Sequence, residues 1–153
     1  MAYAGMTFLK EKVLKEMMKN LTEEIIQSAK EKALKARQNA HAPYSNFLVG
    51  AVLIDEKNNL WEGCNVEASS YGLTICAERS ALVGAISRGV KSFKAVVVCT
   101  DTEIPTSPCG ACRQMLIDFA PDALVIMINV KGDEVRMLLK ELLPAAFTDA
   151  QLH

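Results

Sequence analysis

The sequence predicts a layered α/β domain built on a mixed sheet. Two observations carry this prediction: a pair of β-rich runs joined by a polar turn follows an N-terminal helical region, and helices then alternate with apolar strands. A hairpin followed by such alternation is typical of layered α/β domains. The length of 153 residues fits one domain. We expect that domain to span residues 21–153, with residues 1–20 as a helical extension.

The N-terminal region contains two helical patterns. Apolar residues recur at helical spacing over residues 6–19, with Lys and Glu between them, which predicts a packing helix. A second helix is expected over residues 23–40, because an apolar stripe continues along it and either Asn20 or Thr22 can cap its start.

The rest of the chain divides into strands and helices by composition. The run FLVGAVLI (47–54), the polar turn DEKNN (55–59) and the run LWEGCNVE (60–67) are typical of a hairpin. Further along, we expect three helices and two buried strands. The helices are predicted at about 76–89, 109–120 and 136–143, and the strands at 94–100 and 124–130.

Composition and charge exclude several classes of protein. The 17 Lys and Arg residues are balanced by 18 Asp and Glu residues, which gives a net charge of −1, whereas proteins that bind nucleic acid polymers usually carry a basic excess. No apolar run approaches the roughly 20 residues that a membrane span needs. The first residues mix Lys and Glu every few positions, unlike a secretory leader. We therefore expect a cytoplasmic protein with no nucleic acid or membrane partner.

The five cysteines indicate a metal site rather than disulfides. Their number is odd, and in a reducing compartment clustered cysteines more often bind metal. Cys109 and Cys112 are three residues apart, so on a helix their side chains share one face. Cys76 and Cys109 stand at predicted helix starts, where the helix dipole favours the thiolate. Thiolate ligands favour zinc.

The number of ligands bears on whether this zinc is catalytic. Three thiolates leave one tetrahedral position for water, and an open zinc position lowers the pKa of that water to about 7. Glu78 is two residues after Cys76, close enough to take a proton from the water without binding the metal. A proton shuttle beside zinc hydroxide is what hydrolytic removal of an amino group requires.

A structural zinc site is the alternative. Such sites normally have four protein ligands, and either Cys64 or His41 can supply the fourth. Cys99 lies in the apolar run AVVVC and is most simply a small core residue. With a fourth ligand the chain would be a non-catalytic, zinc-stabilised assembly module, and Glu78 would be dispensable.

Arg79 has an expected role that follows from the charge of the site. Three thiolates leave the zinc cluster negatively charged and hydroxide makes it more so, which should make the water hold its proton more tightly. A guanidinium that donates to the thiolate sulfurs withdraws charge and restores an acidic water. We interpret Arg79 as this donor rather than as a solvated helix residue.

Several segments resemble the zinc-dependent cytidine deaminase family, in its small homotetrameric branch. APYSNFLVGA, GCNVEASSYGLTICAERSAL, PCGACRQ and LLPAAF occur in that family's order and spacing, over about residues 22 to 147. The resemblance implies an α/β/α sandwich, a three-layer fold with a mixed five-stranded sheet. It also implies one zinc ion per chain, with Cys76, Cys109 and Cys112 as ligands and Glu78 as the proton shuttle.

The same resemblance implies the substrate-binding residues. Asn65 and Glu67 would hold a ribose hydroxyl, Phe47 would pack against the pyrimidine, and Phe147 would enter the neighbouring subunit's site, so that the oligomer completes each active site. Tyr71 and Ala77 would also contact the substrate. The run NVEASS departs from the expected NVENAS, which affects only the loop around Ala68.

The implied function is hydrolytic deamination of cytidine and deoxycytidine to uridine and deoxyuridine in pyrimidine salvage, with release of ammonia. A homotetramer that binds a small nucleoside is expected. Deamination of a modified cytosine nucleoside, such as an antibiotic, uses the same zinc chemistry and stays open. The near-neutral charge argues against a polynucleotide substrate.

Overall fold

A five-stranded mixed sheet, in the order β2-β1-β3-β4-β5, forms the centre of the molecule. The structure is a computed structural model and describes residues 21–152. The helices are α1 (Glu23–Arg37), α2 (Ala77–Ile86), α3 (Gly110–Ile117) and α4 (Leu139–Leu142). The strands are β1 (Gly50–Asp55), β2 (Leu60–Cys64), β3 (Phe93–Thr100), β4 (Leu124–Asn129) and β5 (Glu134–Leu138). Only β3 and β4 pair in parallel, and the other neighbours are antiparallel.

Two apolar layers cover the two faces of the sheet. On one face, α1 buries an apolar stripe that includes Ile26 and Ala33. On the other, α2 and α3 bury Leu82 and Leu116. Every residue of β1 and β4 is buried, as expected for strands covered on both faces. This arrangement confirms the three-layer sandwich with a mixed sheet.

Two glycines allow the helices to lie directly against the hairpin. A Cβ atom on Gly50 would stand 2.0 Å from the Ala33 carbonyl oxygen of α1. A Cβ atom on Gly63 would stand 2.4 Å from the Ala81 amide nitrogen of α2. Because neither backbone can retreat from the sheet, both positions require glycine. The second contact fixes the depth at which α2 packs.

The helix predicted over residues 136–143 is correct only in its second half. Residues 134–138 form β5, and only the four residues of α4 are helical. The cause is a turn at the end of β4: Asn129 accepts from the backbone N–H groups of Lys131 and Asp133, and Gly132 has a φ of +95°. This turn folds the chain back on β4, whose edge supplies the partners for β5.

The other elements predicted within residues 21–152 are present with shifted ends. Thr22 rather than Asn20 caps α1, since its hydroxyl accepts from the Ile25 N–H at 3.3 Å, and the helix ends at Arg37 rather than at Ala40. The helix predicted over residues 6–19 lies outside the described residues. Between residues 21 and 152, no helix is long and apolar enough to cross a membrane.

Candidate active site

Two helix starts bring three thiols together. Cys76 is the N-cap residue of α2 and Cys109 is the N-cap residue of α3, while Cys112 lies in the first turn of α3. Their sulfur atoms all lie within 4.8 Å of one another, and the Cys76 and Cys109 sulfurs are 3.7 Å apart. The sequence-based placement of both cysteines at helix starts is therefore correct.

The donor set fits a zinc ion. Three soft thiol ligands can share one ion. The fourth ligands considered from the sequence do not join the group formed within residues 21–152. The Cys64 thiol points to the Asn39 carbonyl oxygen at 3.5 Å, and Cys99 is fully buried in the core. His41 is exposed.

Arg79 lies against the thiol group, as expected. Its Nη2 atom is 3.8 Å from the Cys76 sulfur and 3.3 Å from the Thr74 carbonyl oxygen. Hydrogen bonds from Cys112 and Arg79 lower the pKa of the Cys76 thiol to about 5. A thiol with so low a pKa is deprotonated at neutral pH, which is the form that a metal ion binds.

Glu78 is a buried acid beside the thiols. It lies in the first turn of α2, and its side chain borders the same cleft as Cys76 and Cys109. Only 4% of its surface is exposed, and this burial raises the pKa of its carboxyl group. A carboxyl group with a raised pKa is suited to both accepting and donating a proton near neutral pH.

A cleft of about 250 Å³ connects Glu78 and the thiols to polar and aromatic side chains. Phe47, Asn65 and Glu67, which the resemblance implied as substrate-binding residues, all line it. The other lining residues are Ser45, Val49, Thr74, Val98, Thr100, Thr106 and Ser107. The geometry is that of a pocket for one small, partly polar molecule with a metal site at its base.

Asn65 and Glu67 are held by different contacts. The Asn65 amide donates to the Phe47 carbonyl oxygen at 2.7 Å and accepts from the Val49 N–H at 2.8 Å. It therefore fixes the position of Phe47 in addition to lining the cleft. The Ser45 hydroxyl hydrogen-bonds the Glu67 carboxylate, and the backbone N–H groups of Tyr44 and Ser45 donate to it as well. These hydrogen bonds lower the pKa of Glu67, which stays ionised.

Three of the residues implied by the resemblance lie outside this cleft. Ala77 is fully buried in the core behind it. Tyr71 is 72% exposed and contacts the Tyr44 ring, with centroids 5.4 Å apart, beside a shallower depression at the mouth. Phe147 is 55% exposed, and its carbonyl oxygen accepts a hydrogen bond from Gln114 on α3.

One wall of the cleft was missed by sequence reasoning. Thr100, Thr106 and Ser107 come from the end of β3 and the loop that follows it. The hydroxyl of Thr102 links the hydroxyls of Thr100 and Thr106 at 2.8 and 3.0 Å. A polar run, TDTEIPTS, directly after a buried strand and directly before PCGAC was the available signal.

The comparison with known families identifies this arrangement. The model of the cytidine and deoxycytidylate deaminase zinc-binding region matches residues 23–128. The chain belongs to this deaminase family. The three convergent thiols lie within this matched zinc-binding region, so zinc is the metal of the chain.

Individual deaminases agree with this membership. A cytidine deaminase from Sporosarcina psychrophila is 49% identical over 119 residues, which cover 77% of this chain and 88% of the relative. The crystal structure of cytidine deaminase from Burkholderia pseudomallei superimposes with a TM-score of 0.77 at 44% identity, covering 79% of this chain and 98% of that one. A blasticidin-S deaminase from Bacillus cereus is less similar, at 33% identity over 108 residues, 65% of this chain and 76% of the relative.

Proposed function

We propose that the protein catalyses the zinc-dependent hydrolytic deamination of cytidine and deoxycytidine to uridine and deoxyuridine. The observation that carries the proposal is the buried Glu78 carboxyl group beside three convergent thiols, at the base of a cleft that also presents Phe47 and Glu67. The high identity to proteins named cytidine deaminases supports this substrate class.

The proposed zinc ligands are Cys76, Cys109 and Cys112. A zinc ion with three protein ligands supplies an acidified water, with a pKa of about 7. Arg79 offsets the negative charge of the thiolates through its contact with the Cys76 sulfur. Because the group formed within residues 21–152 has three ligands and no fourth thiol, the non-catalytic assembly module is the weaker alternative.

Glu78 moves the protons of the reaction. It would accept one proton from the attacking water and deliver it to N3 of the pyrimidine ring. It would then take the second proton from the oxygen now bonded to C4 and pass it to the amino group, so that the C4 carbonyl forms as ammonia leaves. Its burial keeps the carboxyl group able to do both, since the raised pKa brings its protonated and ionised forms closer in free energy.

The substrate is held mainly by Phe47, Asn65 and Glu67. Phe47 packs against the pyrimidine, while the Asn65 amide and the Glu67 carboxylate bind a ribose hydroxyl, which is both donor and acceptor. The ionised Glu67 repels a phosphate at the same place, which favours a nucleoside over a nucleotide or a polynucleotide. Tyr71 and Ala77 complete the pocket from the mouth and from behind.

We also propose a homotetramer in which Phe147 of one subunit enters the site of its neighbour. The exposure of Phe147 supports this assembly, because its side chain does not line the cleft of its own chain and is free to reach that of a neighbouring subunit. The proposal includes a cytoplasmic location, a role in pyrimidine salvage, and a single catalytic domain of residues 21–153 with residues 1–20 as an extension.

A modified cytosine nucleoside is the second candidate substrate. The identity to blasticidin-S deaminase supports it, but the identity to cytidine deaminases is higher and covers more of the chain. Both candidate substrates carry the same amino group on the same ring, so the metal site does not distinguish between them. A direct comparison of their turnover does.

An ultraviolet assay of the purified protein with cytidine, deoxycytidine, cytosine, dCMP and blasticidin S tests the proposal. We expect efficient turnover of cytidine and deoxycytidine and poor turnover of free cytosine, because a site built to bind a hydroxyl discriminates strongly against ligands that lack it. Glu67→Ala should reduce cytidine turnover far more than cytosine turnover, whereas Glu62→Ala, on an exposed position of β2, should change neither. Equal use of cytosine and cytidine would contradict the assignment of Asn65 and Glu67.

A further inference from the structure

Arg113 joins three separate parts of the chain behind the metal site. It lies on α3 next to Cys112, and its Nε atom donates to the Pro108 carbonyl oxygen at 2.7 Å. Its Nη2 atom donates to the Ser107 hydroxyl at 2.6 Å, and its Nη1 atom donates to the Leu142 carbonyl oxygen at 2.8 Å. All three guanidinium nitrogens are therefore engaged with groups outside α3.

Two of these contacts fall on the segment that leads into Cys109. The carbonyl group of Pro108 belongs to the peptide unit whose nitrogen is that of Cys109, so fixing its oxygen fixes the plane of that peptide. Cys109 itself is exposed, whereas Cys112 is buried. Because little packing restrains the Cys109 side chain, its position depends on the backbone that carries it.

The third contact gives this segment a rigid support. Leu142 is the last residue of α4, which begins at the fully buried Leu139. The guanidinium thus ties the backbone before Cys109 to an element anchored in the core, through a planar group with fixed donor directions. A lysine at this position has one nitrogen and cannot reach all three acceptors in that geometry.

We propose that Arg113 is a positioning residue that pre-forms the Cys109 side of the zinc site. The proposal uses Cys109 as a zinc ligand, as in the proposed function, but does not depend on the substrate. Groups that orient metal ligands typically change metal affinity by about 10–100-fold when they are removed. Arg113 would therefore act on zinc affinity through Cys109 rather than through contact with the metal.

Zinc affinity, measured by competition with a chromophoric chelator, tests this proposal. Arg113→Lys should lower the affinity by about 10–100-fold. The matched control is Arg88→Lys, because Arg88 is an exposed residue in the turn after α2, and its Nη1 atom donates to the Gly84 carbonyl oxygen at 2.9 Å. The zinc affinity of Arg88→Lys should equal that of the parent protein. Unchanged affinity in Arg113→Lys, or an equal loss in Arg88→Lys, would overturn the proposal.

A double-mutant cycle separates positioning from a general loss of stability. In a Cys109→Ser background, Arg113→Lys should no longer lower zinc affinity, since the ligand through which Arg113 acts is absent. The same loss with and without Cys109 would show a merely structural role. If Arg113→Lys fails to fold, Ser107→Ala replaces it as the test, because it removes one of the three acceptors of Arg113. A few-fold loss of zinc affinity in Ser107→Ala would support the proposal, and unchanged affinity would overturn it. If the zinc affinities change as expected but the parent protein does not deaminate cytidine, the role of Arg113 stands and only the proposed function is contradicted.

Discussion

At the residue scale, Glu78 carries the sharpest prediction. Glu78→Gln keeps the size of the side chain and removes its ability to move protons. We expect kcat to fall by about 10²–10⁴-fold or more, because general acid–base groups contribute about that much and Glu78 acts in more than one step. Zinc content should stay at one ion per chain, since Glu78 is not among the convergent thiols.

Steady-state kinetics and elemental analysis of the same preparation check this result. Glu62→Gln serves as the control, because Glu62 is an exposed glutamate on β2 that pairs with Lys32 away from the cleft. Activity of Glu78→Gln within a few-fold of the parent would remove Glu78 from the mechanism and favour the structural-zinc interpretation.

At the element scale, the hairpin of β1 and β2 depends on one buried carboxylate. Asp55 is 3% exposed and accepts hydrogen bonds from the backbone N–H groups of Lys57 and Asn59 and from the side chains of Asn59 and Trp61. Burial by itself raises the pKa of Asp55, but these hydrogen bonds outweigh it and leave the pKa below its usual range.

Asp55→Asn should therefore lower the free energy of unfolding by about 1–3 kcal/mol at pH 7. The asparagine NH2 group would replace one carboxylate oxygen and would face N–H groups that need an acceptor. The folded pKa lies below the unfolded one, so the stabilisation is complete above the unfolded pKa of about 3.9 and is lost as pH falls through the folded pKa. Urea unfolding at several pH values should show the difference shrinking in acid. Asp122→Asn, at an exposed surface pair, should change little; a pH-independent deficit in Asp55→Asn would contradict the account.

At the scale of the whole molecule, Phe147 tests the proposed assembly. It lies outside the cleft of its own chain and is tied to α3 through Gln114. If it completes a neighbour's site, Phe147→Ala should raise KM for cytidine without changing zinc content. Mixed oligomers of Phe147→Ala and Glu78→Gln chains should recover activity, because an intact Glu78 then meets an intact Phe147 across the interface.

The control mixture combines Phe147→Ala chains with chains that carry both substitutions. It should recover nothing, because neither component supplies Phe147. The proposal would be contradicted if the control mixture recovers activity. It would also be contradicted if the first mixture recovers none although sedimentation shows mixed tetramers. In either case Phe147 would act in its own subunit's site or outside the mechanism.

Local patterns were enough to predict most elements of the fold. The apolar stripe predicted α1, and the continuous β-branched runs predicted β3 and β4, because burial on one face or on both leaves a direct trace in residue order. The three-residue spacing of Cys109 and Cys112 predicted a shared ligand face, because residues three apart on a helix are neighbours. The predicted position of Cys76 and Glu78 at the start of a helix is also correct.

What the sequence by itself determined about this protein was its chemistry: the thiols, the acid and the family segments that carry them. The tertiary structure decided the formation of β5, the cleft wall that contains Thr100 and Thr106, and the three hydrogen bonds of the Arg113 guanidinium. Each of these depends on contacts between residues far apart in the chain or on a turn whose geometry only the neighbouring strand makes favourable. Residue order records local periodicity, whereas a hydrogen bond from Arg113 to Leu142 exists only after α3 and α4 have packed on the same sheet.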